Sequence, residues 1–363
     1  MRVERDAGAA QSASMKHALI ALTFALAAAG CAQLPVGKPL AAAPLVAAAK
    51  PPVEPTAAQL DNARRVGIDA DALTAMLNKP LYQMKPAELG RFLAYEQLAV
   101  PQLRQRIADL ARRNIGQPYE LFLLGEFPYE TFDSQPLFNL DKSDCVVFSE
   151  HIYAMAQSAS WEEFFWMLQR IRYKDGVIGV ATRNHYTEAD WNISNRWLVT
   201  DITARMAGGT RTGAVPYFQN IDRQAFLRKQ FKIEREIPVQ RWDDVYVPKQ
   251  VVAEVDKQLQ DGDFVNIISG YPGQPGGAYA SHVGLIVLGA DGERHILHSS
   301  EPVVREESLQ AFIARLGVRD QKNLDAGLKK PQLLGFKFLR LNDQPVAPPM
   351  APQPRPQRAA LAG

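Results

Sequence analysis

Cysteine occurs only twice in the 363 residues, at Cys31 and Cys145, and histidine only six times. Neither charge sign is in clear excess. Removing residues 1–30 takes away Arg2, Arg5, Lys16, Glu4 and Asp6, leaving 38 basic and 37 acidic residues. A nearly neutral chain lacks the basic surplus of a nucleic-acid binder, so no nucleic-acid partner is expected, and a polybasic patch cannot be its membrane anchor. The apolar stretch at 18–29, ALIALTFALAAA, is twelve residues long. It is too short to cross ~30 Å of hydrocarbon, so no membrane-spanning helix is expected there. No internal repeat is found.

What is present at the start has the layout of an export signal. Lys16 and His17 follow a second methionine, Met15, and lead into the apolar stretch, which closes on Ala28-Ala29-Gly30-Cys31. Small residues running directly into a cysteine are what a lipoprotein signal peptidase reads. Residues 1–30 are therefore expected to be a signal peptide and Cys31 to be lipidated. Ala32 supplies no acidic retention signal, which points to the periplasmic side of the outer membrane, with the protein held by lipid as a monomer. Lipid on Cys31 would withdraw it from any disulfide and leave Cys145 as a thiol in an oxidising compartment.

Residues 31–56 are a Pro/Ala tract expected to act as a tether, and 343–363, of similar character, as a disordered tail. Between them, 57–114 is expected to be a helical prefix and 115–342 the main folded domain. Leu103, Ile107 and Leu110 follow Pro101 at helical spacing, and Ser160 with Glu163 signals the start of another helix. The period then changes. Residues 264–268 and 283–287 are β-like, Gly289-Ala290-Asp291-Gly292-Glu293 is a hairpin turn, and 294–298 and 336–340 are further strands. Helices first and an antiparallel sheet later is an α+β pattern.

Cys145 sits where polar residues give way to an apolar helical run, Phe148, Ile152 and Met155. On the first turn of a helix, the dipole and the unpaired amides favour thiolate, which is the nucleophilic form. A base is needed. His151 is six residues on, about 240° round the helix, and points away. His185 lies in a polar, aromatic segment suited to lining a cleft. His282 opens a strand; with the turn at 289–293, Leu288 pairs with Arg294 and Gly284 with His298. His282 and His298 then share a face, with glycine leaving room between them. That arrangement yields a base and an orienting partner. His295 and His298, three apart in a strand, face opposite sides, which argues against a metal site, and the chemistry needs no cofactor. Tyr119 is placed to donate to an oxyanion, or else simply packs.

Gly116-Gln117-Pro118-Tyr119, Ser143-Asp144-Cys145, Gly262-Asp263-Phe264, Ser281-His282-Val283-Gly284 and Ile296-Leu297-His298-Ser299-Ser300, in this order, resemble the NlpC-type cysteine peptidase superfamily of peptidoglycan hydrolases. Asn184-His185-Tyr186, Asp190-Trp191, Asn195 and Asp201-Ile202-Thr203 resemble its N-acetylmuramoyl-L-alanine amidase-like branch. The resemblance spans roughly residues 100–342. It implies a papain-like α+β core, with Cys145 as nucleophile, His282 as base, His298 as its orienting residue and Tyr119 as oxyanion donor. It also implies that His185, Tyr186, Asp190 and Trp191 line the substrate cleft, with peptidoglycan or its fragments as partner. The chain departs from the family pattern after the cysteine, at Val146-Val147-Phe148-Ser149, and in the aromatic-rich segment 120–142. An acyltransferase on the same triad and a non-catalytic wall-binding lipoprotein are the alternative readings. A papain-type Gln-x-Cys-Gly-x-Cys-Trp segment is absent.

Overall fold

The computed structural model describes residues 52–357. The expected signal peptide, the lipidation site Cys31 and most of the tether lie outside the described residues. No helix among the described residues is long and apolar enough to cross a membrane.

The described residues begin with four helices, α1 (Ala57–Arg65), α2 (Ala70–Leu77), α3 (Pro86–Ala99) and α4 (Leu103–Arg112). Their starts follow from local chemistry. Thr56 caps α1 in a reciprocal capping box with Gln59, and the Asp69 carboxylate accepts the Ala72 amide at the head of α2. Pro101 lies two positions before the first residue of α4.

After an irregular stretch come α5 (Cys145–Ala156) and α6 (Trp161–Arg172). Ser160 caps α6 by accepting the Glu163 amide, as the sequence indicates. A π turn at Thr187–Trp191 runs into α7 (Asn192–Ser194), followed by β1 (Val199–Asp201), α8 (Thr203–Ala207), β2 (Val215–Ile221) and α9 (Arg223–Phe231). The remaining elements are β3 (Gln240–Pro248), β4 (Phe264–Gly270), β5 (Tyr279–Leu288), β6 (Arg294–Ser300), β7 (Val303–Ser308), α10 (Leu309–Asp325) and β8 (Gln332–Leu341).

The strands form one antiparallel sheet in the order β2-β3-β8-β4-β5-β6-β7, with β1 on β8. Helices and an antiparallel sheet, preceded by a helical region, are the α+β pattern expected. Leu288 pairs with Arg294, and Gly289 N donates to Glu293 O across the turn. The last strand is inserted between β3 and β4, so the sheet closes only when the end of the domain returns to its middle.

One apolar core joins the helical prefix to the rest. Leu73, Phe92 and Leu110 pack with Phe148, Leu168, Phe264 and Leu341. Trp191 stacks on Phe264 at 4.4 Å between ring centres, fastening the π turn to β4. Burial of each such ring is worth roughly 2–3 kcal/mol. A second core, including Phe312, Phe336 and Phe338, lies on the other side of the sheet beneath α10.

The segment expected to be a disordered tail has no regular secondary structure over 343–357 and is tied to the body. Arg170 Nε donates to Pro348 O at 3.0 Å, Gln353 Nε2 to Gly176 O at 2.8 Å, and Gln357 N to Pro128 O at 2.8 Å.

Candidate active site

Cys145 is the first residue of α5 and fully buried. Asp144 caps the helix, its Oδ1 accepting the amides of Val146 at 2.9 Å and Val147 at 2.8 Å. Burial raises the Asp144 carboxyl, against those two amides and the nearby Arg172 guanidinium. The expectation of a thiol is corrected: Cys145 is disulfide-bonded, and no cysteine among the described residues is free. That expectation rested on lipid at Cys31, which sequence logic alone supplied.

Three of the segments singled out in sequence meet at Ser143. Its amide donates to Pro118 O at 3.1 Å, and its hydroxyl donates to Gln117 Oε1 at 2.8 Å. Its carbonyl accepts the Ser299 hydroxyl at 2.8 Å. The strand carrying His298 is thus stitched to the residue two before Cys145. Tyr119 is held alongside, its amide donating to Pro302 O at 3.0 Å. Burial and the Asp144 carboxylate push its hydroxyl up to about 12, so it stays protonated and able to donate.

His282 Nε2 lies 2.7 Å from His298 Nδ1. His282 does not open its strand, since β5 begins at Tyr279. A bulge intervenes instead: Ile267 faces His282 while Ile268 faces Ala280, leaving Ser281 as the extra residue. Space for the pair comes from Gly284, where a Cβ would stand 3.1 Å from that of His298. Burial and the neighbouring His298 depress the His282 imidazole well below its usual range, and burial depresses His298. Both are neutral near pH 7, as a base must be to accept a proton. His298 Nε2 is 3.0 Å from Glu307 Oε1, which Arg315 also contacts at 2.6 Å. His295 faces the other way, to Asp291 and Glu306.

Cys145 and His282 both line a cavity of about 190 Å³. Of the four expected cleft residues, His185 and Trp191 line it, whereas Tyr186 and Asp190 do not. The His185 ring, held by Val180 O at 2.7 Å, is pulled down to about 3 by burial and then by Arg183. Trp191 donates from Nε1 to Glu150 at 3.0 Å. Asp190 turns away to its own turn, accepting the Tyr186 amide at 3.0 Å and pairing with Arg223.

Other residues of the cavity were not anticipated. Arg172, paired with Glu150 at 3.2 Å, stays charged in the wall beside Cys145: burial disfavours that charge, but Glu150 and further acidic neighbours more than restore it. Glu188 is buried and accepts from Gln219 Nε2 at 2.8 Å and from the Ala280 amide, two residues before His282. The available signal was a charge on a helix face otherwise apolar, as at Glu150, but its partner is distant in sequence.

The fold is of the amidase-like class. Residues 109–315, more than half of the chain, match the family model described as AmiA-like, N-acetylmuramoyl-L-alanine amidase-like. The chain belongs to this family of amidase-like peptidoglycan hydrolases. Among solved structures it is similar to a DUF1460-family protein of Legionella pneumophila str. Philadelphia 1. The two are 20% identical over 72% of this chain and 96% of that one, with a TM-score of 0.58, a likeness of fold. An N-acetylmuramoyl-L-alanine amidase from Bacteroides uniformis is 21% identical over 66% of this chain and 99% of that one, with a TM-score of 0.49. No curated protein matches the chain.

Proposed function

We propose that the protein is a cysteine-dependent peptidoglycan amidase of the NlpC type, cutting an amide of the stem peptide at its junction with the glycan. The observation that carries this reading is that Cys145, at a helix start, and His282, paired with His298, face one cavity. The reaction runs in the reduced protein. His282 takes the proton of Cys145, and the thiolate attacks the amide carbonyl. The Cys145 amide and Tyr119 stabilise the oxyanion. Collapse breaks the C–N bond, His282 hands its proton to the leaving amine, and a thioester remains. Water then gives a proton to His282 and attacks the thioester. A carboxylate and the thiol are released. No step calls on a cofactor. The helix-on-sheet placement of Cys145 supports a papain-like core.

By the same reading His185 and Trp191 contact substrate, while Tyr186 and Asp190 support the turn that carries them. The protein acts as a lipid-anchored monomer on the periplasmic side of the outer membrane. The test is to incubate the chain from residue 52 onward, with a thiol reductant, with purified peptidoglycan fragments and to identify products by mass spectrometry. Free stem peptide, lost in Cys145→Ala, is the result expected. A cut within the peptide would make the enzyme an endopeptidase, and no product would overturn the hydrolase reading.

A further inference from the structure

The histidine pair continues into a carboxylate that the expected triad does not contain. Glu307 on β7 sits 3.0 Å from His298 Nε2 and is gripped by Arg315 from α10 and, at 3.4 Å, by Arg305 from its own strand. Phe312 closes the other side, its ring 5.4 Å from that of His298 and 6.4 Å from that of His282. We propose that Glu307 is a positioning residue which sets the tautomers of both histidines and so aims the basic nitrogen of His282; this rests on the amidase reading above.

The argument is one of donor and acceptor counting. Burial opposes ionisation of Glu307, but the hydrogen bonds from His298 and Arg315 hold its carboxyl at about 2. An ionised carboxylate only accepts, so His298 must carry its proton on Nε2. Neutral His298 then presents a lone pair at Nδ1. That lone pair, 2.7 Å from His282 Nε2, requires an N–H there. Neutral His282 therefore keeps its proton on Nε2 and its lone pair on Nδ1, the one ring nitrogen left to receive a proton from Cys145. When His282 becomes an imidazolium, the carboxylate two links away favours the new charge, while Arg305 and Arg315 oppose it. Without the Glu307 charge, only the opposing guanidiniums remain.

The experiment compares reduced wild type with Glu307→Gln and Glu307→Asp, using imidazole ¹⁵N NMR at pH 8 and the pH profile of kcat/KM. Both histidines should read as Nε2-protonated in the wild type. Glu307→Gln, still folded by circular dichroism, should lose that uniform assignment. Its acid limb should move to lower pH, because the imidazolium is less stable. Its kcat should fall about 10- to 100-fold with KM nearly unchanged, the scale on which outer partners of a functional histidine act. Glu307→Asp should recover part of both. A wild-type His282 protonated on Nδ1, or a folded Glu307→Gln with wild-type tautomers and limbs, would overturn the proposal. Absence of turnover in the wild type would remove the amidase reading instead, and the tautomers would still decide the role of Glu307.

Discussion

A methyl group placed on Gly284 would stand 3.1 Å from the Cβ of His298 and 2.9 Å from Ile296 Cγ1. The absence of a side chain on β5 is what lets β6 bring His298 against His282. Gly284→Ala should therefore force β6 outward, at a cost of about 1–3 kcal/mol of overpacking. Amidase activity should fall further than that stability loss explains, read as kcat on the folded fraction at a temperature well below the melting point. Unchanged kcat would separate the histidine pair from catalysis.

In a full-length chain that carries no lipid on Cys31, a disulfide at Cys145 would block the thiol. Without reductant that chain should show almost no turnover, and a thiol reductant should raise it. Cys145→Ser should stay inactive in both conditions, about 10⁴-fold or more below the reduced wild type. Equal activity of the full-length, unlipidated chain with and without reductant would exclude Cys145 as the nucleophile.

His151 gives the stability a pH dependence of its own. Its Nδ1 is 2.7 Å from Val147 O, and its buried Nε2 has no hydrogen-bond partner among the described residues. Burial, then Arg172, pulls its imidazole down to about 4, against the Val147 carbonyl, which favours the proton. The unfolded chain binds this proton near pH 6.5 and the folded one only near 4, so the contribution is whole above 6.5 and is lost as pH falls through that window. Its size is on the order of 3 kcal/mol. His151→Gln should flatten the decline in melting temperature between pH 6.5 and 4, measured by calorimetry.

Glu96 works in the opposite direction. Burial first, then Asp109, raises its carboxyl to about 8. The folded state holds a proton that the unfolded state loses near 4.5, so its contribution is present below 4.5 and disappears as pH rises to about 8. Glu96→Gln should raise the melting temperature at pH 8.5 and leave it nearly unchanged at pH 4. A similar gain at both values would place the cause elsewhere.

The local elements were legible because their signals are local. Ser160 and Glu163 announce α6, the Gly289–Glu293 turn sets the β5–β6 register, and the polar run before Cys145 marks where α5 begins. The bulge at Ser281 was not legible, because it depends on how β4 lies against β5 rather than on any property of the residue itself. Tyr186 and Asp190 are expected in the cleft only through the family resemblance. A π turn, which rotates successive side chains differently from an α-helix, sends Trp191 to the cavity and Asp190 to Arg223.

By itself the sequence determined the helical start, the later antiparallel strands, and the pairing of two histidines across a glycine, since periodicity, capping and hairpin length are properties of neighbours along the chain. Only the tertiary structure decided that Ser143 would join three distant segments. It alone also set Glu307 behind His298 and Arg172 in the wall of the cavity that Cys145 lines. These contacts link residues 9 to 156 positions apart, and closing the longer separations depends on the whole sheet and both cores rather than on any single stretch of residues.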